Sequence, residues 1–122
     1  MRTGRRAEEY FLRESQSICG IEVDDILDRR NDAQGYDFRV ISRPTLLIEV
    51  KGLSLAAGDI LFTDREWEVA RQNREEYWLV VVGCLAKQPR AKLHIDPFAS
   101  LCVRSVIERY TRVSWRSRVR VA

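Results

Sequence analysis

Residues 35–52 read GYDFRVISRPTLLIEVKG, and this stretch restricts the fold more than any other in the chain. Residues 36–41 and 45–51 are both rich in β-branched, aromatic and other apolar residues. Ser42-Arg43-Pro44 lies between them as a turn signal, so the stretch is expected to form a β-hairpin. Side chains alternate across a strand. Leu46, Ile48 and Val50 therefore share one face, and Leu47, Glu49 and Lys51 share the other. A hairpin centred near Arg43 brings Asp37 roughly opposite Glu49, although a slip of one residue exchanges the faces.

The flanking segments supply an α/β framework. Residues 4–16 have the apolar spacing of an amphipathic helix, with Ala7, Phe11, Leu12 and Ile18 on its stripe and Cys19-Gly20 ending it. Residues 21–28 are expected to form a strand, with Val23, Ile26 and Leu27 as its apolar content. Residues 29–34 read as a turn, residues 52–58 as a loop and residues 59–62 as a short strand. Thr63-Asp64-Arg65-Glu66 has the S/T-x-x-E form of a capping box, so a helix is expected over 64–75, with Trp67, Val69 and Ala70 facing the core. The run YWLVVV at 77–82 predicts a buried central strand. Residues 90–95 predict a further strand, ended by Asp96-Pro97-Phe98. The alternation SRVRVA near the end predicts an edge strand with outward arginines. This order of elements describes an α/β fold built on a mixed sheet.

The length of 122 residues fits one domain over 1–122 with one core, its basic stretch at 104–122 forming an edge strand or tail. Neither a membrane span nor a signal-peptide pattern is apparent, so a cytoplasmic protein without a membrane partner is expected. Three cysteines (Cys19, Cys84 and Cys102) without CxxC spacing argue against a disulfide framework or a zinc site. The basic residues are nearly all arginine; the lysines are Lys51, Lys87 and Lys92. Arg104, Arg109, Arg112, Arg116, Arg118 and Arg120 face the single acid Glu108 in the last segment, a make-up suited either to a phosphate backbone or to a solvated charged surface.

Asp37, Glu49 and Lys51 are the candidates for chemistry. Neighbouring carboxylates raise one another's pKa, and a bound cation removes that penalty. Mg²⁺ prefers oxygen, keeps several waters, and is commonly held by one or two carboxylates plus substrate phosphate. Asp37 and Glu49 can supply the carboxylates, together with the backbone carbonyl of Val50. Lys51 can orient the attacking water or stabilise developing charge. Glu8 or Glu9, on the first helix, is a further carboxylate within reach. The alternative is a plain ion pair between Glu49 and Lys51. Glu66, Trp67 and Tyr77 read as cap and packing residues, Gln72 and Asn73 as helix residues that point away from or flank Trp67, and His94 as a partly buried polar residue.

The wording of the chain also carries a resemblance. GYDF, LLIEVKG, FTDREWEVARQNREEYWLVVV and then IDPFASL, in that order, resemble the NO VEIN C-terminal domain family, a domain of unknown function often found at the C-terminus of helicases in bacterial defence and restriction loci. That family in turn resembles the PD-(D/E)XK restriction-endonuclease-like superfamily. The second resemblance implies a central mixed β-sheet flanked by α-helices and a Mg²⁺- or Mn²⁺-dependent nuclease acting on DNA. It places the first aspartate at Asp37, the (D/E)XK triplet at Glu49, Val50 and Lys51, and the helical glutamate at Glu8, with Glu9 as a competitor. Ala7 stands where the first helix of that superfamily often has glycine, and Tyr36 where it often has proline before the aspartate.

Three readings therefore leave the sequence. One is a metal-dependent DNA endonuclease in an antiviral defence setting, with a helicase or other defence protein as partner and a homodimer if both strands are cut. The second is a nuclease-fold module that binds DNA or a helicase without cutting. The third is a structural or protein-interaction domain.

Overall fold

The computed structural model describes residues 3–107 and 113–122. Helix α1 (Thr3–Cys19) leads through a 3₁₀ turn at Val23–Asp25 into strands β1 (Ile26–Asp28), β2 (Phe38–Val40) and β3 (Arg43–Gly52). Strand β4 (Ala57–Thr63) then runs into helix α2 (Asp64–Asn73), a 3₁₀ turn at Arg74–Glu76, and strands β5 (Tyr77–Gly83) and β6 (Arg90–Ile95). A short helix α3 (Pro97–Ser100) precedes strands β7 (Arg104–Ile107) and β8 (Val113–Arg120).

The strands form two sheets. The central sheet has the order β1-β2-β3-β5-β6, and the smaller one has the order β4-β8-β7. The central sheet is mixed: β1, β2 and β3 form an antiparallel meander, β5 runs parallel to β3, and β6 returns antiparallel to β5. The fold is thus the α/β class with a central mixed sheet that the sequence predicts, enlarged by a second sheet.

The alternation in β3 explains why the sheet is covered on both sides. Leu46, Ile48 and Val50 join Ala7 and Phe11 of α1, Phe38 and Val40 of β2, and Val80 and Val82 of β5 in one apolar core. Leu47 joins Tyr77, Leu79 and Val81 of β5, Trp67, Val69 and Ala70 of α2, and Ile60, Phe62 and Val119 of the second sheet in the other. Leu79, Val80, Val81 and Val82 are fully buried, as a strand with cores on both faces requires. Trp67 knits the second core through ring contacts with Phe62, Phe98 and Trp115 at 5.0, 5.5 and 6.1 Å between centroids.

Several local expectations change. Of residues 21–28 only Ile26–Asp28 is strand; Val23 and Leu27 are largely exposed, so their apolar character serves no core there. The hairpin turns at Ile41-Ser42, one residue earlier than the Pro44 signal suggests, and Pro44 lies within β3 beside a bulge where Val40 pairs with Arg43. That is a position where a strand tolerates proline. Helix α2 stops at Asn73 because Arg74 adopts φ 49°. Asp96 and Pro97 do end β6, and they also open α3, with the Asp96 carboxylate capping the Ala99 N–H. Strand β8 is the middle strand of its sheet, not an edge, although Arg116, Arg118 and Arg120 do point outward. Arg109, Arg112 and Glu108 lie outside the described residues. Among the described residues no helix is long and apolar enough to cross a membrane.

Candidate functional site

Asp37 stands at the point where β2 and β3 begin to pair. Its N–H donates to the Ile48 carbonyl at 2.9 Å, and Phe38 then pairs with Ile48. Continued by one residue, that register sets Asp37 opposite Glu49, as the hairpin reading expects. The Asp37 carboxylate turns back and accepts the N–H of Val50 at 2.9 Å, satisfying a strand donor that β2 no longer reaches. The preceding turn is held from below: the Tyr77 hydroxyl donates to the Gly35 carbonyl at 2.9 Å. Gly35 has φ 89°, and a Cβ there would lie 2.6 Å from Val69 Cγ2. Only glycine fits both the backbone and the close approach of α2.

Glu49 and Lys51 project from the same face of β3 as Leu47, the face toward α2 and the one that Asp37 shares. Glu49 is 2% exposed. Its Oε2 lies 3.0 Å from Lys51 Nζ, while its Oε1 is buried with no partner. Lys51 Nζ also lies 2.7 Å from Glu66 Oε1 and sits over the Phe62 ring at 5.4 Å. The ion pair between Glu49 and Lys51 exists, but in the interior and not on the surface.

Glu66 is the site member that sequence reasoning assigned only to capping. The box is present: the Thr63 N–H donates to Glu66 Oε1 at 2.9 Å, and the Glu66 N–H donates to Thr63 Oγ1 at 3.0 Å. A residue at this helix position must fold its side chain back toward the cap to make that bond. Here the cap lies beside the end of β3, so the same oxygen also receives Lys51. The motif was visible in the sequence, but its neighbour was not.

Glu8 stands on α1, near enough for its charge to raise the pKa of Asp37. A Cβ on Gly52 would lie 2.8 Å from the Thr3 carbonyl and 3.0 Å from Ala7 Cβ. The absence of a side chain at the end of β3 is what lets the first turns of α1 lie so close. The Glu8 carboxylate accepts Arg30 Nη1 at 3.0 Å, and Arg30 also binds Asp28 through Nε and Nη2 at 2.9 and 2.6 Å. Arg30 is a second residue that the sequence did not single out. Glu9 is the more exposed of the two, with its side chain 48% exposed and Arg5 4.0 Å distant, against 23% for Glu8. Gln72 and Asn73 bond within their own helix, to Glu68 and to the Val69 carbonyl. His94 lies half-buried on β6 with its pKa lowered, chiefly by burial and also by the charge of Lys92.

The electrostatics follow from burial. Asp37 is pushed up to about 6, mainly because it is withdrawn from water; the charges of Glu8 and Glu66 add to this, while the Val50 N–H and Lys51 oppose it. Glu49 lies well above the ordinary carboxylate range because it is buried, although Lys51 works in the other direction. Burial disfavours the charge on Lys51, but Glu49 and Glu66 outweigh it and hold its pKa above the ordinary lysine value. Asp37, Glu49 and Glu66 thus share one lysine, and the cluster carries more negative than positive charge once ionised. Protons or a cation must supply the balance.

Among the described residues no three histidine, cysteine, aspartate or glutamate side chains already stand grouped to hold a metal ion. A two-carboxylate site completed by water and phosphate, as Mg²⁺ favours, does not need such a group. The orphaned Glu49 Oε1 and the carboxylate-only chemistry of the pair fit that kind of ion.

Fold and site together define a mixed α/β protein with a buried carboxylate–lysine cluster at the end of its central hairpin. Residues 5–95 match the family described as Protein NO VEIN, C-terminal, and the chain belongs to that family. The matched span contains Glu8, Asp37, Glu49, Lys51 and Glu66 and stops at the end of β6. No curated protein and no solved structure matches the chain.

Proposed function

We propose that the chain is a Mg²⁺- or Mn²⁺-dependent nuclease of the restriction-endonuclease-like kind, hydrolysing phosphodiester bonds in DNA. The observation that carries this reading is the convergence of Asp37, Glu49 and Lys51 where β2 and β3 meet, in surroundings that leave the carboxylates short of positive charge. Asp37 and Glu49, with the Val50 carbonyl, are the residues suited to hold the ion, and Glu8 is the auxiliary carboxylate. The ion, when bound, acidifies a coordinated water and offsets charge on the phosphate.

The chain's own residues do the rest. The Val50 N–H fixes the Asp37 carboxylate so that it need not reorganise. Glu49 is held at Oε2 by Lys51, which leaves the buried Oε1 as its oxygen without a partner. Lys51, gripped by Glu49 and Glu66, places a permanent positive charge beside the reacting phosphate, suited to orienting a water or stabilising the charge that develops in the transition state.

A second reading is a nuclease-fold module that binds DNA or a helicase partner without cutting. It is favoured by the way Lys51 is already engaged by two glutamates and Glu8 by Arg30. Either activity suits a defence setting beside a helicase, and cutting of both strands suits a homodimer. Plasmid nicking and linearisation with Mg²⁺ or Mn²⁺, compared among the parent chain, Asp37→Ala and Lys51→Ala, separates the two readings. Cleavage by the parent that is lost in both variants is expected. Equal cleavage in all three, or none by the parent on supercoiled, linear and single-stranded DNA, sinks the catalytic reading.

A further inference from the structure

The outer face of the second sheet presents its own charge pattern, away from the carboxylate cluster. Strand β8 turns Arg116, Arg118 and Arg120 outward, and all three are exposed. In the register of this sheet Arg116 lies directly opposite Arg104 of β7 and opposite Leu61 of β4, while Arg118 lies opposite Asp59. Two arginines facing each other across a strand pair repel, and a sheet does not gain stability by placing them so. Among the described residues of this face the one acid is Asp59, and its carboxylate meets Arg116 and Arg118 only at 3.8 and 4.0 Å. These are loose pairs between exposed groups, worth little in water. Arg104, Arg116, Arg118 and Asp59 border a concavity of about 600 Å³ in the same face.

We propose that this face is a docking surface for the sugar–phosphate backbone of duplex DNA. Outward residues along a strand repeat at about 6.8 Å, so Arg116, Arg118 and Arg120 form an extended row of cations able to meet several phosphates of one DNA strand, with Arg104 widening it by one strand. Guanidinium groups suit this task because each can give two parallel N–H bonds to a phosphate. Asp59 opposes the same contact and sets its strength. The face connects to the site through the chain itself: β4 runs from Asp59 to Thr63, which caps α2 beside Glu66, and the Trp115 Nε1–H of β8 donates to Asp64 at 3.0 Å. The choice of DNA as the polyanion rests on the nuclease reading; the surface itself does not.

The test is binding of a fluorescent DNA duplex to the intact chain in EDTA, where cutting plays no part, followed by anisotropy across a salt series. Affinity that falls steeply with salt is expected, and Arg116→Gln/Arg118→Gln should weaken it at least about tenfold and make the log–log salt slope shallower by about 2. Asp59→Asn should tighten binding, a gain that a merely structural role for the Asp59 pairs does not produce. If the double arginine variant loses its native circular-dichroism signal, Asp59→Asn decides alone. No duplex binding, binding that ignores these substitutions, or stronger binding of RNA or of a polyglutamate chain than of the duplex overturns the proposal. Binding that depends on the arginines without any cleavage removes the nuclease reading and keeps the face; cleavage that needs Asp37 with binding blind to the arginines does the reverse.

Discussion

Asp37 and Val50 are joined by a single hydrogen bond of 2.9 Å, from the Val50 backbone N–H to the Asp37 carboxylate, that sets a buried acid at the end of a strand pair. The bond pulls the pKa of Asp37 down, yet burial and the charges of Glu8 and Glu66 more than reverse it and leave the group at about 6. The chain therefore keeps an acid where its ionised form is unfavourable, an arrangement common at functional sites.

Asp37→Asn is expected to stabilise the protein above neutral pH. In the folded chain Asp37 holds its proton up to about pH 6, whereas its ordinary value is 3.8. Between those values the folded state binds the extra proton, so stability falls as pH rises through the window, and the cost is complete above it. A shift of this size corresponds to roughly 1–3 kcal/mol. The asparagine oxygen can still accept the Val50 N–H. Urea denaturation should show the variant more stable at pH 8, with the advantage gone below the ordinary aspartate pKa. A variant no more stable than the parent at pH 8 contradicts the account.

Millimolar Mg²⁺ or Mn²⁺ should raise the melting temperature of the parent at pH 8. At ten times its dissociation constant an ion bound only by the folded state adds roughly 1.4 kcal/mol, a few degrees for a protein of this size. The shift should vanish on adding EDTA and be largely absent in Asp37→Asn. Thermal scans with and without the ion check this, and an equal shift in both proteins places the ion elsewhere.

Lys51→Met should be strongly destabilising. It removes the cation that holds Glu49 Oε2 and Glu66 Oε1 and, at a pH where Glu49 is ionised, leaves a buried charge without a partner, a loss of roughly 3–5 kcal/mol. Glu49 is raised well above the usual carboxylate range by burial even with Lys51 in place. Without the lysine it is neutralised more readily still, so the penalty should shrink as pH falls. Adding Glu49→Gln should recover part of the loss, and a double-mutant cycle by chemical denaturation measures the coupling. Independent, additive effects count against a shared cluster.

Gly52→Ala should push α1 away from the end of β3. The new Cβ would meet the Thr3 carbonyl at 2.8 Å and Ala7 Cβ at 3.0 Å, both parts of the packed helix and not the end of a flexible side chain. Overpacking of this kind costs roughly 1–3 kcal/mol. Because the displaced turns carry Glu8, the nuclease reading expects cleavage to fall by more than the loss of folded protein explains. Activity normalised to the folded fraction distinguishes this from simple unfolding.

Much of this protein was legible in its sequence because the decisive signals are local. Alternation along residues 46–51 put Leu46, Ile48 and Val50 on one face of β3 and Glu49 and Lys51 on the other, since a strand has period two. Thr63 to Glu66 announced the start of α2 because a capping box closes within four residues. The run from Tyr77 to Val82 required a strand covered on both sides. The motifs from Gly35 to Leu101 also pointed to the family to which residues 5–95 belong.

Tertiary structure alone decided which of these residues meet. Lys51 and Glu66 are fifteen positions apart and Arg30 and Glu8 twenty-two, and no periodicity relates side chains on different elements. The placing of α1 set Glu8 against Arg30 and left Glu9 beside Arg5 on the more exposed side. The pairing of β8 between β4 and β7 turned an expected edge strand into a middle one, because strand order depends on long-range hydrogen bonds that alternation cannot encode. The acids and the lysine were written in the chain; the raised pKa values of Asp37 and Glu49 arose only when folding withdrew them from water.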